Sequence, residues 1–384
     1  MNKLWEPSQE RIASSEMTRF QNYCGHGESS YSDFHKWSAS ASHEFWNKLT
    51  SFYDVSWKGD QSAVCTDDSF KSYGWYPHMK LNFAQNLLKK GKPEDIALNG
   101  VFENSQSKKI TYKDLRVATG QFQNSLKEMN FGAGDVLACY MPNISETVIS
   151  MLGVSSLGGV FTSTSADFGV GGVVDRFGQS KPRVLVTVSS YEYNGKKYSL
   201  IPRLKEIAEK LPCIEKIVIV DFLNHGADIS SIPNAVTWND FISKETSLEF
   251  VSMKFSDPLY IMYSSGTTGK PKCIVHSAGG TLLQHIKEHG LHTNVTQDKN
   301  LFYFTTCGWM MWNWLVSGLY FGATITLYEG SPGHPSLGEF FEIIDREKIN
   351  IFGTSPKFLK VLEDSGYVNK TGLHSLESIL STGA

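Results

Sequence analysis

Short runs dominated by apolar residues, separated from one another by helical stretches, constrain this chain more than any other feature. Val136-Leu-Ala-Cys-Tyr-Met141, Gly159-Val-Phe-Thr-Ser163, Arg183-Val-Leu-Val-Thr-Val188 and Lys216-Ile-Val-Ile-Val-Asp221 are too short for helices and lack the apolar–polar alternation of a half-exposed strand. A strand that is apolar on both sides is covered on both faces, the situation of a parallel sheet between helices. The segments between supply those helices. Lys109-Ile-Thr-Tyr-Lys-Asp-Leu115 opens one that runs to about Met129, with Thr111 as cap and Asp114 three residues on. Ser145 to about Gly158 and a stretch around Ile201–Lys210 are two more, and Ile96–Phe102 reads as a further strand. The predicted fold is α/β, with layered, mostly parallel sheets and helices on both faces.

Residues 1 to about 85 differ in character. They are aromatic-rich, and Ser42 is the expected cap of a short helix with Phe45, Trp46, Leu49 and Phe52 on one face. The segment reads as an N-terminal arm packed on the larger body formed by 86–384. Between Lys299 and Glu329 no Asp, Glu, Lys or Arg occurs, which is long enough to span a bilayer. Its polar residues, and its change midway to the alternating ATITLY, argue instead for a buried strand–helix–strand. With 36 Lys+Arg against 39 Asp+Glu, the balance speaks against a nucleic-acid binder. Six scattered Cys without a C-x-x-C pair, and an N-terminus without an apolar core, predict a reducing, cytoplasmic setting.

The densest chemical signal is Leu259-Tyr-Ile-Met-Tyr-Ser-Ser-Gly-Thr-Thr-Gly-Lys-Pro-Lys-Cys-Ile-Val-His276. Two apolar strand-like runs flank a loop holding Ser264, Ser265, Gly266, Thr267, Thr268, Gly269 and Lys270. Glycines let backbone N–H groups approach a ligand, hydroxyls add donors, and lysines add charge, as a triphosphate requires. The Walker pattern is excluded: its glycines have four residues between them and its Lys opens a helix, whereas here only Thr267-Thr268 separate them and Pro271 disfavours helix at Lys270. The loop is therefore expected on a strand-to-strand turn. A plain Gly-Ser-Thr hairpin is the competing reading.

SSGTTGKPK resembles the phosphate-loop signature of the adenylate-forming enzymes, the acyl-CoA synthetases and their relatives. Phe34-His-Lys-Trp37 with Phe45-Trp46, and Trp75-Tyr-Pro-His-Met-Lys-Leu-Asn-Phe-Ala-Gln-Asn-Leu87, resemble the acetyl-CoA synthetase-like branch. Tyr140-Met-Pro-Asn143 with Glu146, and then Cys307-Gly-Trp-Met-Met-Trp-Asn-Trp314, follow in the expected order. The last run is similar to the acetoacetate-activating members, since small residues follow the Trp in the acetate-activating ones.

The resemblance implies an ATP-dependent acid–thiol ligase. Acetoacetate would attack the α-phosphate of ATP, giving an acyl-adenylate and pyrophosphate, and coenzyme A would then displace AMP. Both steps rest on positioning and charge neutralisation. Residues Ser264 to Lys270 would wrap the phosphates, with Thr268 and Lys270 as the catalytic pair and Thr268 beside Mg²⁺. Trp309, Met310 and Met311 would line the acyl pocket, although such runs are also ordinary core. Gly353-Thr-Ser-Pro-Lys357 would border the substrate pocket, and Gly383 and Ala384 would contact the adenine. Lys196 falls near basic groups that hold the CoA phosphate in that branch, while Tyr193 stands where an Arg is expected, and a solvated lysine is the alternative. The implied partners are these small molecules only.

Other classes compete. His285-Ile-Lys-Glu-His289 matches H-x-x-E-H, a zinc-peptidase pattern that chance also produces in a chain with 11 His. Another short- or medium-chain acyl-CoA synthetase is the nearer alternative. A non-catalytic nucleotide-binding fragment is the third, because the family's later motifs and small C-terminal domain are not present. On that reading the large domain is truncated, and this chain is expected to be impaired by itself.

Overall fold

The computed structural model describes residues 5–66, 74–103, 106–264, 269–366 and 372–382. Two large sheets organise the body. The first has seven strands in the order Ala235–Thr237, Lys216–Val220, Val184–Val188, Val136–Met141, Val160–Ser165, Pro258–Tyr263 and Cys273–Ser277. All neighbours are parallel except the last pair. The second has six strands in the order Ser378–Ser381, Ile351–Thr354, Asn300–Tyr303, Thr324–Glu329, Ile96–Phe102 and Ser107–Thr111, again parallel except at the last.

Val184–Val188 is an inner strand buried at every position, as its apolar composition indicates; Val160–Ser165 is equally buried although it ends in Thr-Ser-Thr-Ser. The two antiparallel edges, Ser107–Thr111 and Cys273–Ser277, are largely exposed. The helix that follows the first of these runs over Tyr112–Glu128 with Thr111 as its cap, as expected, Thr111 Oγ1 accepting the Asp114 N–H at 3.1 Å; Lys109–Thr111 just before it end the strand. Such a cap contributes about 1 kcal/mol. Ile201–Lys210 and Ser145–Ser156 are helices as predicted. The uncharged stretch folds as strand Asn300–Tyr303, helix Met310–Ser317, a short 3₁₀ turn and strand Thr324–Glu329. Among the described residues no helix is long and apolar enough to cross a membrane.

The arm is built into the body. Its helix Ser42–Phe52 buries Phe45 and Leu49 and leaves Trp46 and Phe52 half-buried. Ser42 does not cap it: Ala41 occupies the cap position without a side-chain bond, and Ser42 is the first helical residue. Tyr320 Oη donates to the Tyr53 carbonyl at 2.8 Å. The Arg11 guanidinium reaches the far edge of the second sheet, donating to the Glu377 carbonyl at 3.0 Å and Ser378 Oγ at 3.1 Å.

Candidate functional site

The carboxyl ends of the parallel strands are where ligands settle in open α/β sheets. Strand Pro258–Tyr263 runs parallel beside Val160–Ser165 and leads to Ser264, the start of the candidate phosphate loop, at that end. The return strand Cys273–Ser277 pairs antiparallel with it, Tyr263 opposite Cys273, so the loop is a strand-to-strand turn. Ser264 closes its neck: its N–H donates to the Lys272 carbonyl at 3.0 Å, and its Oγ accepts the Lys272 N–H at 2.9 Å. Gly269 has φ +139°, a conformation that favours glycine. The Pro271 carbonyl accepts from Gln179 Nε2 at 2.8 Å, and Lys270 Nζ lies 3.6 Å from Asp175, so helix Val170–Ser180 flanks the turn. The Lys270 side chain is 78% exposed, and a pair this open is weak, which leaves the ammonium available to an anion. Ser265, Gly266, Thr267 and Thr268 lie outside the described residues.

The expected acyl wall packs against the same strand. Trp309 caps helix Met310–Ser317 and is 62% exposed; Met310 is partly exposed and Met311 half-buried. Tyr260 Oη lies 4.0 Å from the Met310 sulfur, and Asn313 Nδ2 lies 3.1 Å from the sulfur of Met262. The strand leading into the phosphate turn and the helix bearing the acyl candidates are therefore in direct contact. Cys307 anchors the approach to that helix, its thiol donating to the carbonyls of Met141 at 3.1 Å and Thr164 at 3.4 Å.

One junction was not foreseen. Asn143, next to the end of strand Val136–Met141, donates through Nδ2 to the Thr305 and Tyr328 carbonyls at 3.4 and 3.3 Å. Its Oδ1 accepts the indole N–H of buried Trp312 at 2.8 Å, and its own N–H donates to Glu329 Oε2 at 2.6 Å. The Tyr140–Asn143 and Cys307–Trp314 motifs, quoted separately from the sequence, thus meet through one carboxamide that also joins the two sheets. Burial pushes the Glu329 carboxyl up to about 7, against the Asn143 N–H, which favours the charged form; the charges of Asp167 and Glu103 push it further up.

The remaining expectations are scattered. Lys196 is exposed on a hairpin, directly across from Tyr193. Glu103 anchors that turn by accepting the N–H groups of Asn194 and Gly195 at 2.9 and 2.6 Å. Gly353 and Thr354 lie inside strand Ile351–Thr354, and Ser355 caps helix Pro356–Ser365. Ser381 ends the edge strand, while Gly383 and Ala384 lie outside the described residues. The two histidines of H-x-x-E-H are core: His285 Nδ1 pairs with Ser317 Oγ at 2.7 Å, and His289 Nε2 with the Trp314 carbonyl at 2.7 Å. Burial pulls His289 down to about 4, so both are built as neutral packing groups. Among the described residues no cluster of three His, Cys, Asp or Glu could hold a metal ion. A cleft of about 690 Å³, with Lys108, Lys197, Asp221, His225 and Trp238 on its walls, meets this ensemble at Glu103, Glu146 and Glu329.

Comparison with known proteins places the chain in a family. Acetoacetyl-CoA synthetase of Mus musculus is 39% identical over 99% of the chain, and malonamoyl-CoA synthetase of Penicillium aethiopicum is 35% identical over 94%. The solved acetoacetyl-CoA synthetase from Streptomyces lividans superposes with a TM-score of 0.95 at 33% identity, covering 100% of this chain and 60% of that one. The chain spans 59% of the mouse relative's length and 54% of the fungal one's. The family description "AMP-binding enzyme" matches residues 86–384, and the chain belongs to that family.

Proposed function

We propose that this chain supplies the ATP-phosphate and acyl-group sites of an acid–thiol ligase that converts acetoacetate, ATP and coenzyme A to acetoacetyl-CoA, AMP and pyrophosphate. The observation that carries the reading is the contact between the strand feeding the phosphate turn and the helix Met310–Ser317. On this reading a polyanion loop would stand beside an apolar wall, and the first step needs a triphosphate and a short acid side by side. In that step a carboxylate oxygen bonds to the α-phosphorus as pyrophosphate departs. In the second the thiol sulfur bonds to the acyl carbon and AMP leaves. We assign Ser264 to Lys270 to the phosphates, Trp309, Met310 and Met311 to the acyl group, Gly383 and Ala384 to the adenine, and Lys196 to coenzyme A. Mg²⁺ would travel with the phosphate oxygens, and Thr268 is the hydroxyl we assign to it. Residues 1–85 would act as the arm and 86–384 as the adenylating domain, in a cytoplasmic setting. The relatives named above support an acid with a carbonyl at carbon 3, acetoacetate first and malonamate second.

The test is acid-dependent AMP formation with coenzyme A, in a polypeptide extended to the relatives' length, comparing acetoacetate with acetate, propionate and butyrate. Preference for acetoacetate is expected. Preference for acetate would overturn the acyl assignment, and no AMP with any acid would overturn the ligase reading.

A further inference from the structure

Asn313 is fully buried on helix Met310–Ser317, yet its carboxamide is poorly matched. Its Oδ1 has no hydrogen-bond partner. Its Nδ2 has only the Met262 sulfur at 3.1 Å and the Trp309 carbonyl at 3.5 Å. A thioether is a weak acceptor, and 3.5 Å is a long contact. Leaving a buried amide in this state is costly, and an apolar side chain of the same size would pack there without that cost. Several buried polar atoms of the described residues lack a partner, and each calls for an explanation, a bound water or ligand among them; Asn313 is the one that stands beside the acyl candidates.

The position of the amide suggests what that is. Asn313 is one helical turn from Trp309 and three residues from Met310, the exposed end of the acyl wall. Met262, which covers the amide, is half-buried on the strand that runs into the phosphate turn. An acid activated at that turn has its carboxylate toward the phosphates and its tail toward this wall. In a 3-oxo acid the second carbonyl lies two carbons from the carboxylate and needs one donor. Methionine on either side can shift to admit it, since its unbranched chain adapts to irregular space.

We propose that Asn313 selects acids with a carbonyl at carbon 3, its Nδ2–H donating to that oxygen in place of the Met262 sulfur. This rests on the acyl-pocket reading above and adds the residue that decides between acetoacetate and butyrate, which differ by that oxygen. Wall residues of sulfur and carbon separate acids by size alone. A buried amide separates them by hydrogen bonding, because an acid without the oxygen leaves the amide unmatched. The unpartnered Oδ1 also suits an N–H on the same carbonyl, as in a 3-carboxamide.

The test is the affinity of the 384-residue chain for acetoacetate and butyrate in the presence of AMP, by ligand-observed NMR. The unmodified chain is expected to favour acetoacetate by about tenfold. Asn313→Leu should erase that preference by weakening acetoacetate alone, with AMP affinity unchanged. Asn313→Asp keeps the shape, replaces the donor by an oxygen, and should do the same. In the unmodified chain the Asn313 side-chain ¹⁵N–¹H₂ resonances should move on adding acetoacetate and stay put with butyrate. A preference that persists in either folded variant, or resonances indifferent to the two acids, would overturn the role of Asn313 and leave the acyl pocket standing. Failure of the unmodified chain to bind either acid would instead overturn the acyl-pocket reading, and this inference with it.

Discussion

Glu329→Gln probes the junction between the two sheets. Burial raises the Glu329 carboxyl from its ordinary 4.5 to about 7, and the Asn143 N–H on Oε2 offsets only part of that. In the unfolded chain the same group is an ordinary glutamate. Between those two values the folded protein holds a proton that the unfolded chain has released, so the native state binds more protons. Stability therefore falls as pH rises from about 4.5 to about 7, and above that the full loss is present. A gap of roughly 2.5 at about 1.4 kcal/mol for each unit of pKa sets an upper bound of about 3.5 kcal/mol. Glutamine keeps an oxygen for the Asn143 N–H and carries no charge at any pH. Urea unfolding of both proteins at pH 5 and pH 8 measures the effect. The variant should gain about 1–3 kcal/mol on the parent between the two conditions. A stability difference that is the same at pH 5 and pH 8 would refute the buried-carboxyl argument.

Two further predictions concern the same ensemble. Trp312→Phe removes the indole N–H while keeping a ring to stack on Phe161, whose centroid is 5.9 Å away. It leaves the Asn143 carbonyl oxygen without its donor, and chemical unfolding should register a loss of about 1–3 kcal/mol; an unchanged midpoint would show the bond to be idle. The combined Thr268→Ala and Lys270→Ala chain should bind ATP at least about tenfold more weakly by calorimetry, and equal affinity would mean the loop does not hold phosphate.

Much of the fold was legible because buried parallel strands must be apolar on both sides. Val184–Val188 and Lys216–Val220 carry that signature in their own letters. Ser107-Lys-Lys-Ile-Thr111 does not, because an exposed edge strand has no obligation to be apolar, so only the helix behind its Thr111 cap was legible. The hairpin Ser190–Tyr193 with Lys196–Ser199 was missed for the same reason. The antiparallel pairing of Pro258–Tyr263 with Cys273–Ser277 was legible because Pro271 and the glycines before it are a local turn pattern between two apolar runs. Asn143 and Trp312 are 169 residues apart, and nothing local pairs them. Asn313 counted in the sequence only among the polar residues that argue against a membrane span in the uncharged stretch. Only the contacts around it reveal that its amide is left unmatched.

The Arg11 bridge to Glu377 and Ser378 spans 366 positions of sequence, and this bears on the order in which the molecule assembles. At about 5–20 residues per second of synthesis, the arm emerges roughly 20–70 s before the strand edge it grips has been made. Through that interval its aromatic face, Phe20, Phe34 and Phe45, can pack on itself, their rings being 5.6–6.1 Å apart, but its charged end has nothing to hold. Contacts of such long sequence separation form late. The arm is thus made first and fastened last, a clasp on the finished second sheet rather than a nucleus for it.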